Sequence, residues 1–197
     1  SLGDDIIAAL SEAAQALGVE ALRPLLLNAV ELRRQPGSSR QLATSVDPTE
    51  LGCVSPVPDV GLVGEISIDL TAVSGADDIG VAGSLTMSWS GPCRRCLSDV
   101  TRTVAVGVSE RFVPSGHPAV DDRVEAATEI EGDQIDLAPI LRDLAVLEIP
   151  AAPLCDESCR GWCPQCGADL SLCECGCSSE TTDPRWAALD GLVIDED

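Results

Sequence analysis

Seven of the ten cysteines in this chain fall between Cys155 and Cys177, in the run C-DES-C-RGW-C-PQ-C-GADLSL-C-E-C-G-C. Thiols at that density constrain the fold before anything else does. Left unpartnered they oxidise or cross-link, so they must be held by a metal, by one another or by a redox substrate. Two more, Cys93 and Cys96, form a separate CxxC inside GPCRRCL, far upstream. Cys53 stands alone, and a solitary cysteine reads as an inert, partly buried thiol.

The chain predicts a reducing compartment. Leu2–Leu22 is interrupted by Asp4, Asp5, Glu12 and Glu20 and has no basic n-region, so it does not read as a secretory signal. No apolar run approaches the ~18 residues of a membrane span. A cytoplasmic, non-membrane protein is expected, and there clustered cysteines mean metal rather than disulfides.

Zinc is the expected cofactor, as one or two ions. Cys163-Pro-Gln-Cys166-Gly167 is a C-P-x-C-G knuckle, which turns two sulfurs towards one ion and needs a second pair to complete a tetrahedron. Cys173 and Cys175 supply one such pair, leaving Cys93, Cys96, Cys155 and Cys159 as another set of four. Two other arrangements stay open: the Cys93/Cys96 knuckle joined to Cys163/Cys166, or Cys155, Cys159, Cys163 and Cys166 closing one site alone. Cys177 is left spare in all of them. The alternative from another class is a cytosolic thiol–disulfide redox protein using its CxxC motifs. Such a motif, however, opens a helix after a strand, where the helix N-terminus lowers the thiol pKa. Cys93/Cys96 instead falls between two strand patterns.

Charge limits the partners. The 197 residues carry 33 acids against 12 arginines, with no lysine, for a net charge of −21. Such a field repels nucleic acid and favours a basic protein, or serves solubility alone. A local exception is the knuckle tip, where Arg94 and Arg95, with Arg102 on the next strand, are candidate RNA contacts of the kind zinc knuckles make. The plain alternative is that they are scattered surface arginines. Enzymatic chemistry is not expected. His117 is the one histidine, on a Gly/Pro-rich loop without a nucleophile motif beside it, and no GxGxxG or phosphate loop marks a small-molecule substrate.

Periodicity supplies the scaffold. Residues 4–17 read as an amphipathic helix, Leu25–Leu32 as a strand, Gln35–Ser39 as a turn and 43–60 as loop. From Ile66 to Ala72, from Ile79 to Trp89 and from Val104 to Val108, apolar residues recur every second position between Gly/Asp/Pro turns. That pattern predicts an antiparallel meander with Cys93 and Cys96 at a hairpin tip. Residues 113–135 read as a polar excursion. Asp136 then caps a helix to about Leu147 whose stripe of Leu137, Ile140, Leu141, Leu144 and Leu147 packs on the sheet. A short helix at 183–192 and a frayed acidic end at 195–197 close the chain. The expected fold is α+β: an antiparallel β-meander or partly open barrel, one packed helix and a Cys-rich, zinc-binding C-terminal module.

Five segments in order carry a resemblance: LLLNAVELRRQPGSSRQL at 25–42, GPCRRCL at 91–97, GDQIDLAPILRDLAVLEIPAAPLC at 132–155, CRGWCPQCGADL at 159–170 and DPRWAAL at 183–189. The ordered set resembles the YceD family of bacterial and plastid large ribosomal RNA accumulation proteins, over about residues 25–192. The resemblance implies a cytosolic, non-enzymatic factor for 23S ribosomal RNA accumulation in large-subunit biogenesis. Its partner would be ribosomal RNA, a basic ribosomal protein, or both. By position, Cys93 and Cys96 match the family's hairpin CxxC, and Cys155, Cys159, Cys163 and Cys166 its C-terminal cluster. Cys173 and Cys175 match a CxC that only part of the family has. The division expected is an extension over 1–24, a β-rich core over 25–150 and the Cys-rich module over 151–197.

Overall fold

A computed structural model describes residues 22–117, 127–130, 132–177 and 185. The helix expected at 4–17, the one at 183–192 apart from Arg185, and the acidic end lie outside the described residues.

Three long strands form the centre: β3 (Gly61–Ser74), β4 (Ile79–Pro92) and β5 (Asp99–Val113). Their alternation is realised as one buried face. Ile66, Ile68, Leu70 and Ala72 on β3, Ile79, Val81, Leu85, Met87 and Trp89 on β4, and Val108 on β5 are all buried. Antiparallel pairing runs from Leu70 opposite Gly83 through Leu85 opposite Val106, and the β4–β5 hairpin closes at Pro92 opposite Asp99. The GPCRRCL segment therefore makes the hairpin tip, as its position between two alternating runs implied.

β2 (Ser39–Val46) adds to β3 antiparallel and β6 (Thr128–Glu129) to β5 in parallel, giving the order β2-β3-β4-β5-β6. The sheet is open, with β2 and β6 at its edges. β2 starts at the last residue of the turn expected at 35–39 and takes residues 43–46 from the loop expected at 43–60. Its inward residues are Leu42, Thr44 and Val46, of which only Val46 is fully buried, so the strand's own pattern is weak and pairing with β3 supplies what it lacks.

The segment read as one strand over 25–32 divides. β1 (Leu26–Asn28) pairs with β7 (Gln134–Asp136), and α1 (Ala29–Arg33) begins at once. The Asn28 side-chain oxygen accepts from the Glu31 N–H at 2.9 Å, and this N-cap turns an apolar run into a helix.

α2 (Ala138–Leu147) is the packed helix, starting two residues after the expected cap. Asp136 ends β7, yet its carboxylate still accepts the Ala138 N–H at 2.9 Å. Asp136→Ala should cost about 1 kcal/mol, the usual value of a lost helix cap, measured by urea denaturation. Of the expected stripe Leu137 and Leu141 are buried and Ile140 and Leu144 pack half-buried on the same core; Ala138 and Ala145 join them, and Leu147 departs. Leu147 is 80% exposed because it lies about 200° around the helix from Ala145. Leu25, Leu27, Leu32, α2 and the inner sheet face share one core.

A second, smaller cluster lies at the knuckle end of β4 and β5. It joins Val60, Trp89, Cys93 and Val100 to Ile149 and Cys159, the latter two arriving after α2. The helix thus delivers residues 149–177 to the hairpin tip. Among the described residues, no helix is long and apolar enough to cross a membrane.

Candidate metal centres

Two groups of four cysteines assemble at that end, and within each the sulfur atoms lie within 4.8 Å of one another. The first contains Cys93, Cys96, Cys155 and Cys159; the second contains Cys163, Cys166, Cys175 and Cys177. No described cysteine is in a disulfide.

Both CxxC segments fold into the same knuckle. The Cys93 N–H donates to Ser98 O at 2.8 Å and the Leu97 N–H returns to Cys93 O at 2.9 Å. In the second group the Cys163 N–H donates to Ala168 O at 2.8 Å and the Gly167 N–H to Cys163 O at 2.9 Å. The residue after each second cysteine is left-handed: Gly167 at φ +70° and Leu97 at φ +61°. Glycine takes that conformation freely, whereas for an L side chain it costs roughly 1–2 kcal/mol.

The loop bearing Cys155 and Cys159 is held against the hairpin by polar contacts. The Arg94 N–H donates to Pro153 O at 2.8 Å. The guanidinium of Arg95 donates to Glu157 O at 3.0 Å and Cys159 O at 2.7 Å, and that of Arg102 to Cys155 O at 3.1 Å. Arg94 Nη1 reaches Ala151 O at 3.3 Å. The three arginines singled out as RNA contacts thus spend donors on backbone carbonyls of this loop. Trp162 closes the junction, donating its indole N–H to Cys96 O at 2.7 Å and its amide to Arg95 O at 3.2 Å. Gly161 sits directly beneath Arg95. It is left-handed at φ +72°, and a Cβ there would lie 2.6 Å from Arg95 O.

The donor sets fit a thiophilic ion. A tetrahedral Zn–S length of ~2.3 Å places neighbouring sulfurs roughly 3.8 Å apart. Cys93 and Cys159 Sγ are 3.9 Å apart, and Cys96 and Cys155 Sγ 3.5 Å. Both separations are far above the ~2.05 Å of a disulfide.

The thiol environments agree. Burial pushes Cys93 up, but amide donors from Cys96, Cys155 and Arg95 outweigh it and bring the thiol down to about 6. Amides of Cys166 and Gln165 bring Cys163 down to about 6. Burial, with Cys155 adding to it, raises Cys159 to about 12, and hydrogen bonding with Cys166, then burial, raises Cys177 to about 12. In the first group Cys93 and Cys96 are lowered, Cys96 chiefly by its hydrogen bond with Ser98, while Cys155 and Cys159 are raised; in the second Cys163 is lowered while Cys175 and Cys177 are raised, because adjacent anions repel. A dication at the centre removes that conflict.

Of the cysteines named from sequence, seven are in these groups and Cys173 is not. Its sulfur turns back to Asp169 O at 3.4 Å and its amide bonds the same carbonyl, while Cys177, set aside as spare, completes the second group. C-E-C-G-C offers two overlapping CxC pairs of identical spacing, so the pattern held no signal to choose between them. Cys53 packs half-buried against the main core, outside both groups. His117 follows β5 at its other end, away from the knuckle.

The profile described as "Large ribosomal RNA subunit accumulation protein YceD" matches residues 81–193, which takes in both cysteine groups. An uncharacterized protein of Mycobacterium tuberculosis, Rv2926c, is 32% identical over 168 residues, covering 84% of this chain and 80% of its own length. Bacillus subtilis YlbN, also uncharacterized, is 26% identical over 85% of this chain and 95% of its own length. The chloroplastic "Large ribosomal RNA subunit accumulation protein YCED homolog 1" of Arabidopsis thaliana is 35% identical over 72 residues, 36% of this chain and 22% of that protein. No solved structure matches.

Proposed function

Since the chain belongs to the YceD family of large ribosomal RNA subunit accumulation proteins, we propose that it is a non-enzymatic, zinc-stapled factor of large-subunit biogenesis, acting in the cytosol through a basic ribosomal protein. The observation that carries this reading is the preassembly of two all-cysteine groups, one of which ties the C-terminal segment to the hairpin of the sheet. Each group offers four cysteine sulfurs, the full tetrahedral complement of a structural ion, whereas catalytic zinc sites use three protein ligands and keep a position open. Tetrahedral sulfur donors favour zinc among the common divalent ions.

A protein rather than bare RNA is favoured by charge. The net charge of −21 opposes a phosphate backbone, and a divalent ion held by four thiolates adds two further negative charges per centre. Arg94, Arg95 and Arg102 support the reading too, since their bonds to loop carbonyls use donors that phosphates would need.

Elemental analysis of protein purified without added metal tests the proposal, with two zinc ions per chain expected. Depleting the protein in its host should lower 23S relative to 16S ribosomal RNA, and a Cys93→Ser chain should fail to restore it. No metal together with a reducible Cys163–Cys166 disulfide would transfer the protein to the redox class.

A further inference from the structure

We propose that Leu97 and Trp162 form a docking surface for a basic polypeptide segment carrying aliphatic side chains, an inference that rests on both cysteine groups holding metal. Leu97 sets the argument in motion. It is one of two non-glycine residues with positive φ among those described, and it occupies the knuckle position that Gly167 fills in the second group. A strained side chain is ordinarily repaid by packing, yet Leu97 is 71% exposed. Strain retained without burial points to a contact made outside the chain.

Trp162 is its neighbour. The indole is pinned through its N–H to Cys96 O, the residue before Leu97, and 52% of the tryptophan stays exposed. An exposed aromatic pinned one residue from an exposed aliphatic side chain, where the two knuckles meet, is a preorganised anchor that loses little entropy on binding.

Charge selects the occupant. Asp99, Asp156, Glu157 and Glu174 are exposed on the two knuckles and the loop joining them, and Asp169 bridges to Trp162. These five acids and two dianionic centres outweigh Arg94, Arg95, Arg102 and Arg160. The guanidinium groups of Arg94, Arg95 and Arg102 also donate to loop carbonyls. An arginine or lysine of the partner lies over the indole face, its neighbouring aliphatic side chain covers Leu97, and the acidic rim neutralises further basic residues. A phosphate backbone meets the same rim as repulsion.

The test uses the full chain and a fluorescent synthetic peptide alternating Arg and Leu, read by anisotropy at about 0.15 M salt, where unspecific attraction is screened. Parallel arms use a Glu/Leu peptide and a single-stranded RNA oligonucleotide of equal length. The parent should bind the Arg/Leu peptide alone. Leu97→Gly should weaken that binding at least tenfold, while metal content is unchanged and the unfolding midpoint is no lower, because glycine relieves the strain. Leu147→Ser, which alters an equally exposed leucine on α2, should bind like the parent. Equal binding by Leu97→Gly, no binding by the parent, or tighter binding of the RNA would overturn the proposal. Metal content is read separately, so failure of the metal reading is told apart from failure of the surface.

Discussion

Cys159→Ser is expected to lower the bound metal from two ions to one and to release residues 149–177 from the sheet. Cys159 belongs at once to the first sulfur group and to the small apolar cluster of Val60, Trp89, Cys93, Val100 and Ile149. A structural zinc contributes on the order of 10–16 kcal/mol in isolated finger peptides, because the site has no counterpart in the unfolded chain. Here the loss leaves the arginine-to-carbonyl contacts and the cluster to hold the loop alone. The sheet itself should survive: the main core is a separate cluster, and only half-buried Leu62 and Val104 touch both. Hydrogen exchange should therefore show new exposure in 149–177 with the amides of β3 and β4 still protected. Cys177→Ser should lose the other ion and open only about 163–177, since all ligands of that group lie in one short segment. Equal protection in parent and Cys159→Ser would end the structural reading of the first group.

Gly161→Ala is the second large effect, expected to destabilise by about 2–4 kcal/mol. Two costs combine. An L side chain at φ +72° pays the left-handed penalty, and its Cβ would sit 2.6 Å from Arg95 O and 2.8 Å from Arg95 Cβ. Neither neighbour is the free end of a flexible side chain, so hairpin and module must separate. The Trp162 amide bond to Arg95 O and the Arg95 contacts to Glu157 and Cys159 would loosen together. Gly167→Ala is the control. Its φ of +70° is the same, but nothing lies within 4 Å of the added carbon, so only the conformational cost of roughly 1–2 kcal/mol is due. Denaturant unfolding of both variants separates the terms. If the two fall by the same amount, the close approach of Gly161 to Arg95 is not a stabilising constraint.

The arginines make contacts that their positions in the sequence do not announce. Arg94 and Arg95 stand out in sequence because they fill the two positions of a CxxC, and positive charge on a knuckle suggests phosphate. A loop delivered by α2 brings carbonyls of residues 151–159 within reach, and the guanidinium groups donate to those of Ala151, Glu157 and Cys159.

Local chemistry decided much of this protein without help from the fold. Alternating apolar residues in β3, β4 and β5 dictate one buried face whatever packs on it, and a CxxC between two such runs becomes a hairpin knuckle. The helix after Asp136 was equally legible, because its apolar spacing and Pro139 suit no other element. The fold decided what depends on residues far apart in the chain. β2 exists because β3 offers it a partner edge; its own half-exposed alternation is too weak to declare a strand. The apolar run after Leu25 breaks at Asn28 because one side-chain hydrogen bond starts a helix there. The opening cysteine cluster was divided in the same way. Spacing required that its thiols be held together, but equal spacings admit several partitions. The partition follows from α2 carrying Cys155 and Cys159 to the hairpin, and from the turn at Asp169 that directs Cys173 away and leaves Cys177 to close the second group.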